Sequence, residues 1–389
     1  MKILRVISSM DPKQGGPCQG IRNSIPEMQK QGVENEVLCF DTPDAEYLGK
    51  DDFIIHTIGP AKGSYAYCPN LKSWLDKNLG NYDIVIIHGL WLYNSYGTYK
   101  AWKSYKKNNN NSPRLFIMPH GMLDPYFQKA KDRRLKAIRN WFFWKLIEGK
   151  VLNGCDGILF TCEEELLLAR GTFKPYHPKN ELNVGYGILP PPKYEDKMTT
   201  AFAEKCIGWS GKPFFLFLSR IHEKKGTDLL VRAYVRIKEQ NKDIPQLVIA
   251  GPGLDTAYGQ KIKELAIADS DILFPGMLSG DAKWGAFYNS ELFILPSHQE
   301  NFGIAIVEAL SCEKAVLITD KVNIWREIES NGAGYVVPDK EEEIYKMLNK
   351  WLSLPNKDNM GKHSKKIYLQ IFSMEKVINK MIHLFNSYA

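Results

Sequence analysis

The sequence has no long apolar run, no paired cysteine motif and no cluster of metal ligands. No stretch of eighteen or more consecutive apolar residues occurs, which excludes an ordinary transmembrane helix. The N-terminus, Met1-Lys2-Ile3, enters a strand-like segment interrupted by charge and lacks the apolar core of a signal peptide. These absences predict a cytoplasmic protein.

Seven cysteines, an odd number, are scattered without a Cys-x-x-Cys pair, which argues against a disulfide framework and against a structural zinc site. No group of His and Cys residues has the spacing of metal ligands. We therefore expect reduced cysteines that pack in the interior, and no bound metal.

The length of 389 residues provides material for two α/β domains. Strand-like apolar runs alternate with helix-length segments, as in a doubly wound parallel sheet. In the first half these runs are Lys2 to Ser9, Val37 to Phe40, Phe53 to Ile55, Ile84 to Ile87, Leu115 to Ile117 and Gly157 to Phe160. In the second half they are Pro213 to Leu218, Gln246 to Ala250, Asp271 to Phe274, Glu291 to Leu295 and Ala315 to Thr319. The boundary is expected near the stiff triple proline at 190–192.

The segment from Pro296 to Leu310 follows a buried strand and ends in a helix, because Ile304, Val307 and Leu310 recur at helical spacing. Within its loop, Asn301 is expected to cap the helix, and Gly303 allows the backbone amides to approach a ligand closely.

Two glutamates stand in this segment, Glu300 in the loop and Glu308 about two turns into the helix. They are too far apart to share a proton. Hydrogen bonding to a polyhydroxylated ligand suits this placement better than an acid–base pair.

Other polar loops also follow predicted strands. His88 and His120 each precede a glycine at a strand end, where ligands of open α/β sheets gather. Gly15 and Gly16 form a loop that can pass close to a ligand. In the second half, a basic loop from Ser219 to Asp228 opens a helix, for which Thr227 is the expected cap.

The Glu-x7-Glu pattern of Glu300 and Glu308, preceded by Pro-Ser and enclosing Phe-Gly, resembles the signature of the family-4 retaining glycosyltransferases of GT-B architecture. The segment from Pro119 to Pro125, Pro-His-Gly-Met-Leu-Asp-Pro, resembles a loop found in a subset of that family. The resemblance implies two Rossmann-like domains that face a cleft. It further implies an N-terminal acceptor-binding domain (1–190), a C-terminal nucleotide-sugar-binding domain (191–372) and a C-terminal helix (373–389) that packs back on the first domain.

By the same resemblance, Arg220 and Lys225 neutralise the donor diphosphate in place of a divalent metal. Glu308 hydrogen-bonds the ribose, Glu300 holds the hexose hydroxyls, and His120 faces the donor sugar. The remaining expected contacts are Gly251 with the nucleotide, Met277 and Leu278 with the base, the amides of Asn301, Phe302 and Gly303 with the hexose, Gly15 and Gly16 beneath the diphosphate, and His88 on the acceptor side.

The implied activity is retaining transfer of a hexose from a UDP- or GDP-sugar to a glycan or lipid-linked acceptor, in the synthesis of a surface polysaccharide or lipopolysaccharide, without cofactor or metal. A nucleotide-sugar epimerase of the same architecture is an alternative, although epimerases lack the Glu-x7-Glu loop. The second alternative is a non-catalytic module that binds a membrane or nucleic acid. Nucleic acid is disfavoured because the chain outside one segment is nearly neutral.

That segment, residues 128–150, has eight basic residues against two acidic ones, a net charge of +6 out of +7 for the chain. Leu135, Ile138, Phe142 and Leu146 recur at helical spacing and are expected to face the core, with the basic residues on the remaining surface. A helix of this kind can rest on an anionic membrane, as a peripheral protein does. A merely solvated helix is the equally open alternative.

Overall fold

The computed structural model describes residues 1–130, 133–267, 269–355 and 357–388. It separates into two units. The first contains Met1–Gly187 and the helix that begins at Met374, and the second contains Ile188–Ser373. Lys131 and Asp132 of the basic segment lie outside the described residues.

Among the described residues, the first unit has a seven-stranded parallel sheet in the order β3-β2-β1-β4-β5-β6-β7. Its strands are β1 (Lys2–Val6), β2 (Glu34–Cys39), β3 (Ile55–Thr57), β4 (Ile84–His88), β5 (Arg114–Met118), β6 (Gly157–Phe160) and β7 (Glu181–Asn183). The central strands are mostly apolar because helices cover both faces of the sheet, and every residue of β4 is buried.

The helices of this unit are α1 (Gly16–Lys30), α2 (Asn70–Asn78), α3 (Tyr93–Asn108), α4 (Tyr126–Lys129), α5 (Arg134–Phe143), α6 (Gly149–Gly154) and α7 (Glu163–Thr172), with short 3-10 turns at Pro12–Gln14 and Leu79–Asn81. The final helix, which we number α16 (Met374–Asn386), belongs to the same unit. Its residues Ile378 and Phe385 pack in one buried cluster with Ile3, Ile84 and Phe116 of the sheet.

In the described part of the second unit, six parallel strands are ordered β10-β9-β8-β11-β12-β13. They are β8 (Phe214–Leu218), β9 (Leu247–Ala250), β10 (Ile272–Gly276), β11 (Ser290–Leu295), β12 (Ala315–Thr319) and β13 (Gly334–Val337). The helices are α8 (Asp196–Lys205), α9 (Thr227–Gln240), α10 (Ala257–Ala266), α11 (Gly280–Asn289), α12 (Ile304–Ser311), α13 (Trp325–Ser330), α14 (Glu341–Leu352) and α15 (Asp358–Ile367), with a 3-10 turn at Glu223–Lys225 and a π-helical turn at Tyr368–Phe372.

The basic segment is helical, but its orientation differs from the prediction. Helix α5 continues through a π-helical turn, Trp144–Glu148, into α6. The side chains expected in the core are exposed instead: Leu135 84%, Ile138 56%, Phe142 56% and Leu146 63%. The prediction was wrong because periodicity shows that these residues share a face without showing which face meets the core. Trp144 of the same segment is buried instead, at 1% exposure.

None of the helices in the described residues has both the length and the apolar composition that crossing a membrane requires.

Candidate functional site

The Glu-x7-Glu segment has the predicted strand, loop and helix, formed by β11, residues 296–303 and α12. The loop backbone is fixed at Glu300, whose N–H donates to the carbonyl of Lys321 (3.0 Å) and whose carbonyl accepts from the N–H of Asn323 (2.9 Å). These bonds tie the loop to the chain that follows β12. Glu300 is therefore held at the carboxyl end of the sheet, as expected for a ligand site of an α/β protein.

The helix start differs in detail from the prediction. Gly303 occupies the N-cap position with φ 77°, and no side chain caps α12. Asn301 is thus not the cap. Its side-chain oxygen instead lies 3.4 Å from the side-chain nitrogen, Nδ2, of Asn323. The left-handed backbone conformation at this position favours glycine, because a residue with a side chain would be strained there. Phe302 is buried at 6% exposure and packs edge-on against Phe372.

Each of the two glutamates is paired with a different lysine. Lys225 forms an ion pair and hydrogen bond with Glu300, both side chains being less than one-fifth exposed. Lys283 donates to Oε1 of Glu308 at 2.8 Å. Each carboxylate thus has its own cation, and the separate roles expected of the two glutamates stay a prediction.

The basic loop that carries Lys225 packs against the Glu300 loop. The N–H of His298 donates to the carbonyl of Lys224 (2.8 Å), and Lys224 Nζ lies 3.3 Å from the side-chain oxygen of Gln299. Gly226 adopts φ 61°, and a Cβ at this position would lie 2.1 Å from the carbonyl oxygen of Pro296. This glycine lets the two loops approach closely enough for the Lys225 and Glu300 side chains to meet.

Gly226, and not Thr227, is the N-cap residue of α9. The expected cap at Thr227 was wrong, because the left-handed glycine already turns the chain and Thr227 is the first helical residue. Arg220 follows β8 in the same loop and is exposed. The structure therefore pairs Lys225 with Glu300 and leaves the Arg220 side chain at the surface of the loop.

Gly251 lies where β9 ends and packs directly under this loop. Its φ is 147°, and an added Cβ would lie 1.9 Å from the carbonyl oxygen of Ser219. After the neighbouring strand β10, Met277 is 71% exposed and Leu278 is 7% exposed. The predicted donor-side residues of the second unit thus all belong to loops or first helical turns at the carboxyl ends of adjacent strands, except Glu308, which stands within α12.

In the first unit, His88 and His120 meet at the ends of β4 and β5. Nδ1 of His88 lies 3.0 Å from Nε2 of His120, and the two rings stack with centroids 5.2 Å apart. Burial, and then the positive charge of Arg5, lowers the pKa of His120 to about 4. Burial, followed by His120 and Arg5, also holds the pKa of His88 well below its usual value. The pair is therefore neutral at pH 7, and one ring donates a hydrogen bond to the other.

His120 occupies a strained turn, with φ 51°, and a buried glutamate holds that turn in place. Glu165 accepts from the N–H of Gly121 (2.5 Å) and from the N–H (2.7 Å) and hydroxyl (2.6 Å) of Thr161. Asn94 donates to the carbonyl of His88 at 2.9 Å. The backbone of His88 is thus fixed by a side chain of α3, the helix after its own strand, and the turn at His120 by a side chain of α7, the helix after the neighbouring strand β6.

Gly15 and Gly16 form the start of α1. Gly15 is the N-cap residue with φ 93°, and a Cβ at either glycine would have no atom of the described residues within 4 Å. The hydroxyl of Tyr186 donates to the carbonyl of Gly16 (3.1 Å). The open space around these glycines leaves room for a ligand at the N-terminus of the helix.

Among the described residues, no group of three or more His, Cys, Asp or Glu side chains is placed to hold a metal ion. Asp269 and Asp271 do form an Asp-x-Asp pair in the sequence. However, they lie just before β10, at the end of the sheet opposite the candidate site, and Asp271 forms an ion pair with Lys238 at 2.5 Å.

Sequence reasoning missed two residues of these sites. Lys283, in the first turn of α11, has no motif that marks it as the partner of Glu308. Glu165 was equally unmarked, although an acidic first turn of a helix that follows a strand is a position from which a carboxylate can accept backbone N–H groups. Both roles depend on tertiary contacts, so the order of residues does not reveal them.

Two family models match the chain. Residues 15–173 match the model described as Glycosyltransferase Family 4, and residues 204–367 match Glycosyl transferases group 1. The two matches fall in the first and the second structural unit, respectively.

Individual proteins match at low identity. O-antigen chain mannosyltransferase C of Escherichia coli is 22% identical over 231 residues, which are 56% of this chain and 57% of that protein. The lipopolysaccharide core biosynthesis mannosyltransferase LpcC of Rhizobium leguminosarum bv. viciae is 23% identical over 265 residues, 66% of this chain and 68% of that protein. The chain therefore spans only a little over half of the first relative. The crystal structure of Anabaena HepE with UDP and glucose superposes with a TM-score of 0.70 at 16% identity, covering all of both chains.

Proposed function

Because the chain belongs to the group 1 and family 4 glycosyltransferases, whose GT-B fold it shares, we propose that it transfers a hexose from a UDP- or GDP-sugar to a glycan or lipid-linked acceptor. The observation that carries the proposal is the pair of contacts in the second unit, Lys225 with Glu300 and Lys283 with Glu308. A nucleotide sugar needs cations for its diphosphate and carboxylates for its hydroxyls, and this unit presents both.

The reaction we propose keeps the configuration of the donor carbon. The bond from that carbon to the diphosphate breaks as the acceptor hydroxyl attacks on the same face, and the hydroxyl proton passes to the departing phosphate oxygen. Lys225 and Arg220 stabilise the charge that accumulates on the phosphate, so we expect no divalent metal to be required. Glu300 orients the hexose and Glu308 the ribose. His120 is neutral at pH 7, so it offers the sugar a hydrogen bond without a positive charge.

The relatives favour a role in surface polysaccharide synthesis. The Escherichia coli protein is named for the O-antigen chain and the Rhizobium protein for the lipopolysaccharide core. HepE, which shares the fold, was crystallised with UDP and glucose. We propose an acceptor of the same general class, and the domain roles that follow are acceptor binding by the first unit and donor binding by the second.

The test is a screen of UDP- and GDP-sugars against the purified protein, with product analysis for transfer, hydrolysis and epimerisation. We expect one donor to stabilise the protein thermally and to be turned over in the presence of EDTA. An epimerised donor would support the epimerase alternative, and binding without any turnover would support a non-catalytic module. Loss of turnover in EDTA, restored by a divalent metal, would refute the role given to the cations.

Two substitutions separate the proposed roles of the glutamates. Glu308→Ala should raise the KM for the donor, since ribose contacts are made equally in the ground state and the transition state. Glu300→Ala should mainly lower kcat, and Lys225→Ala should lower it by about two to three orders of magnitude. Steady-state kinetics of the three variants measures both constants. If Glu300→Ala and Glu308→Ala both weakened donor binding equally and left kcat unchanged, that result would contradict this division of roles.

A further inference from the structure

The surface of the first unit displays an apolar stripe surrounded by positive charge. The stripe consists of Leu135, Ile138, Phe142 and Leu146, which are between 56% and 84% exposed. They recur at intervals of three and four residues along α5 and the π-helical turn, and therefore lie in one line on the helix. Large apolar side chains clustered at such exposure mark a surface that another body covers.

The opposite face of the same helix is firmly packed, so the helix cannot rotate to bury the stripe. Trp144 is 1% exposed, stacks on Phe173 with centroids 4.8 Å apart and donates to the carbonyl of Pro175. Glu148 is fully buried and accepts from the hydroxyl of Ser95 (2.7 Å) and from the N–H of Trp91 (3.1 Å). These contacts fix which side of the helix faces outward.

Basic side chains flank the stripe on both sides. Helical spacing places Arg134 and Lys145 on one side and Lys136 and Arg139 on the other, and all four are exposed. Among the described residues, two of them contact neutral side chains: Arg139 donates to the side-chain oxygen of Asn140 (3.0 Å), and Lys145 lies 5.6 Å from the ring centroid of Trp141. Their charges remain available to an external anionic surface.

We propose that this face binds the surface of an anionic lipid bilayer, with the apolar stripe inserted at the headgroup level and the flanking cations on the lipid phosphates. A bilayer offers apolar and anionic groups together, which is the combination that the face presents. A second copy of the chain is a poorer occupant, because a twofold interface would bring like charges together. Trp141, at 49% exposure, provides an aromatic ring suited to the interface. This inference goes beyond sugar transfer and does not depend on it.

The experiment is sedimentation of the full chain with vesicles of phosphatidylglycerol and phosphatidylcholine, or of phosphatidylcholine alone, at low and high salt. The stripe variant is Leu135→Gln/Ile138→Gln/Phe142→Gln/Leu146→Gln. The charge variant is Arg134→Gln/Lys136→Gln/Arg139→Gln/Lys145→Gln. A matched control removes four exposed lysines of the second unit, Lys261→Gln/Lys263→Gln/Lys350→Gln/Lys362→Gln.

We expect the wild type to bind the anionic vesicles at low salt, with at least about tenfold weaker binding at high salt or on neutral vesicles. The charge variant should bind about two to three orders of magnitude more weakly, since each of the four cations near the membrane strengthens binding about fivefold. The stripe variant should lose about tenfold or more, because the stripe supplies the apolar part of the binding. The control should remain within about twofold of the wild type.

Failure of the wild type to bind anionic vesicles at low salt would overturn the proposal. Equal binding by wild type and stripe variant would also overturn it, because adsorption would then need no inserted side chains. Concentration-dependent dimerisation that the stripe variant abolishes would identify a second copy as the occupant instead. Thermal melting checks that the variants fold, and the double variant Leu135→Gln/Phe142→Gln repeats the test with half the change.

Discussion

At the scale of single residues, the neutral histidine pair links the site to the pH dependence of stability. The pKa of His120 is about 4 in the folded chain, below the value of about 6.5 expected for unfolded histidine. Between these values the unfolded chain binds more protons, so this histidine favours folding above about pH 6.5 and loses that contribution as the pH falls toward 4. Glu148 has the opposite effect. Burial raises the pKa of its carboxyl group to about 7, so this group stabilises the fold less as the pH rises from its pKa in the unfolded chain toward 7.

We therefore predict the pH dependence of a difference. As the pH falls from 6.5 to 4, the wild type should lose up to about 3 kcal/mol of unfolding free energy relative to His120→Asn, because the variant lacks the titrating imidazole. The difference in stability between the two proteins should therefore shrink or change sign. Denaturant unfolding of both proteins at several pH values measures this difference in unfolding free energy. The contribution of Glu148 cancels in the difference, because both proteins contain it. His177→Asn is the matched control, since His177 is exposed. A gap that is independent of pH in His120→Asn would show that the histidine is not held neutral by its surroundings.

The residues of the site could be predicted from sequence to differing degrees. The Glu-x7-Glu spacing singled out Glu300 and Glu308 as candidates, and their separate roles stay a prediction. The pairing of Glu308 with Lys283 could not be predicted, because the two residues lie 25 positions apart on different helices. Glu165 was missed for the same reason, since its partner Gly121 is 44 positions away. Spacing indicates local geometry, whereas these contacts depend on how helices pack on the sheet.

At the scale of elements, two glycines at the carboxyl ends of the neighbouring strands β9 and β10 allow a comparison of what an added side chain would cost. Gly251 and Gly276 both have positive φ. A Cβ at Gly251 would lie 1.9 Å from the Ser219 oxygen, whereas at Gly276 no atom of the described residues would lie within 4 Å of a Cβ. Gly276→Ala should cost about 1–2 kcal/mol of unfolding free energy from the left-handed backbone alone. Gly251→Ala should cost distinctly more and should also weaken donor binding, because the basic loop must move.

Denaturant unfolding and donor titration of the two alanine variants measure these effects. Equal destabilisation by both substitutions would mean that the loop after β8 adapts freely, and the close approach at Gly251 would then have no consequence.

The elements show where sequence patterns were sufficient. Apolar runs located all of the central strands, because a strand covered on both faces is mostly apolar. The edge strands β7 (Glu181–Asn183) and β13 (Gly334–Val337) were missed, since they are short and largely half-buried. The orientation of α5 was predicted wrongly because its apolar residues form a regular stripe on the outer face. An amphipathic pattern identifies a helix but does not identify what covers its apolar side.

At the scale of the whole molecule, the first unit is assembled from two distant parts of the chain. Phe385 of α16 is fully buried, with its ring 5.3 Å from that of Phe116 in β5. Phe385→Ala should therefore cost about 3–5 kcal/mol in the first unit, whereas His383→Ala on the exposed side of α16 should cost less than about 0.5 kcal/mol.

Hydrogen exchange resolved by segment tests this prediction. Protection should fall in β1, β4 and β5 of the first unit in the Phe385→Ala variant and remain unchanged in β8 and β11 of the second. Loss of protection spread evenly over both units would show that they unfold together, and that α16 does not stabilise the first unit in particular.

The discontinuity of the first unit also affects the order in which the protein can fold during synthesis. The second unit is one uninterrupted stretch, Ile188–Ser373, and can fold as soon as it has left the ribosome. Helix α16 is made only afterwards, so the apolar surface that receives it, around Ile3, Ile84 and Phe116, stays uncovered while the ribosome translates the whole of the second unit. The newly made first unit must therefore wait, with part of its core open to water and to chaperones, for the helix that closes it.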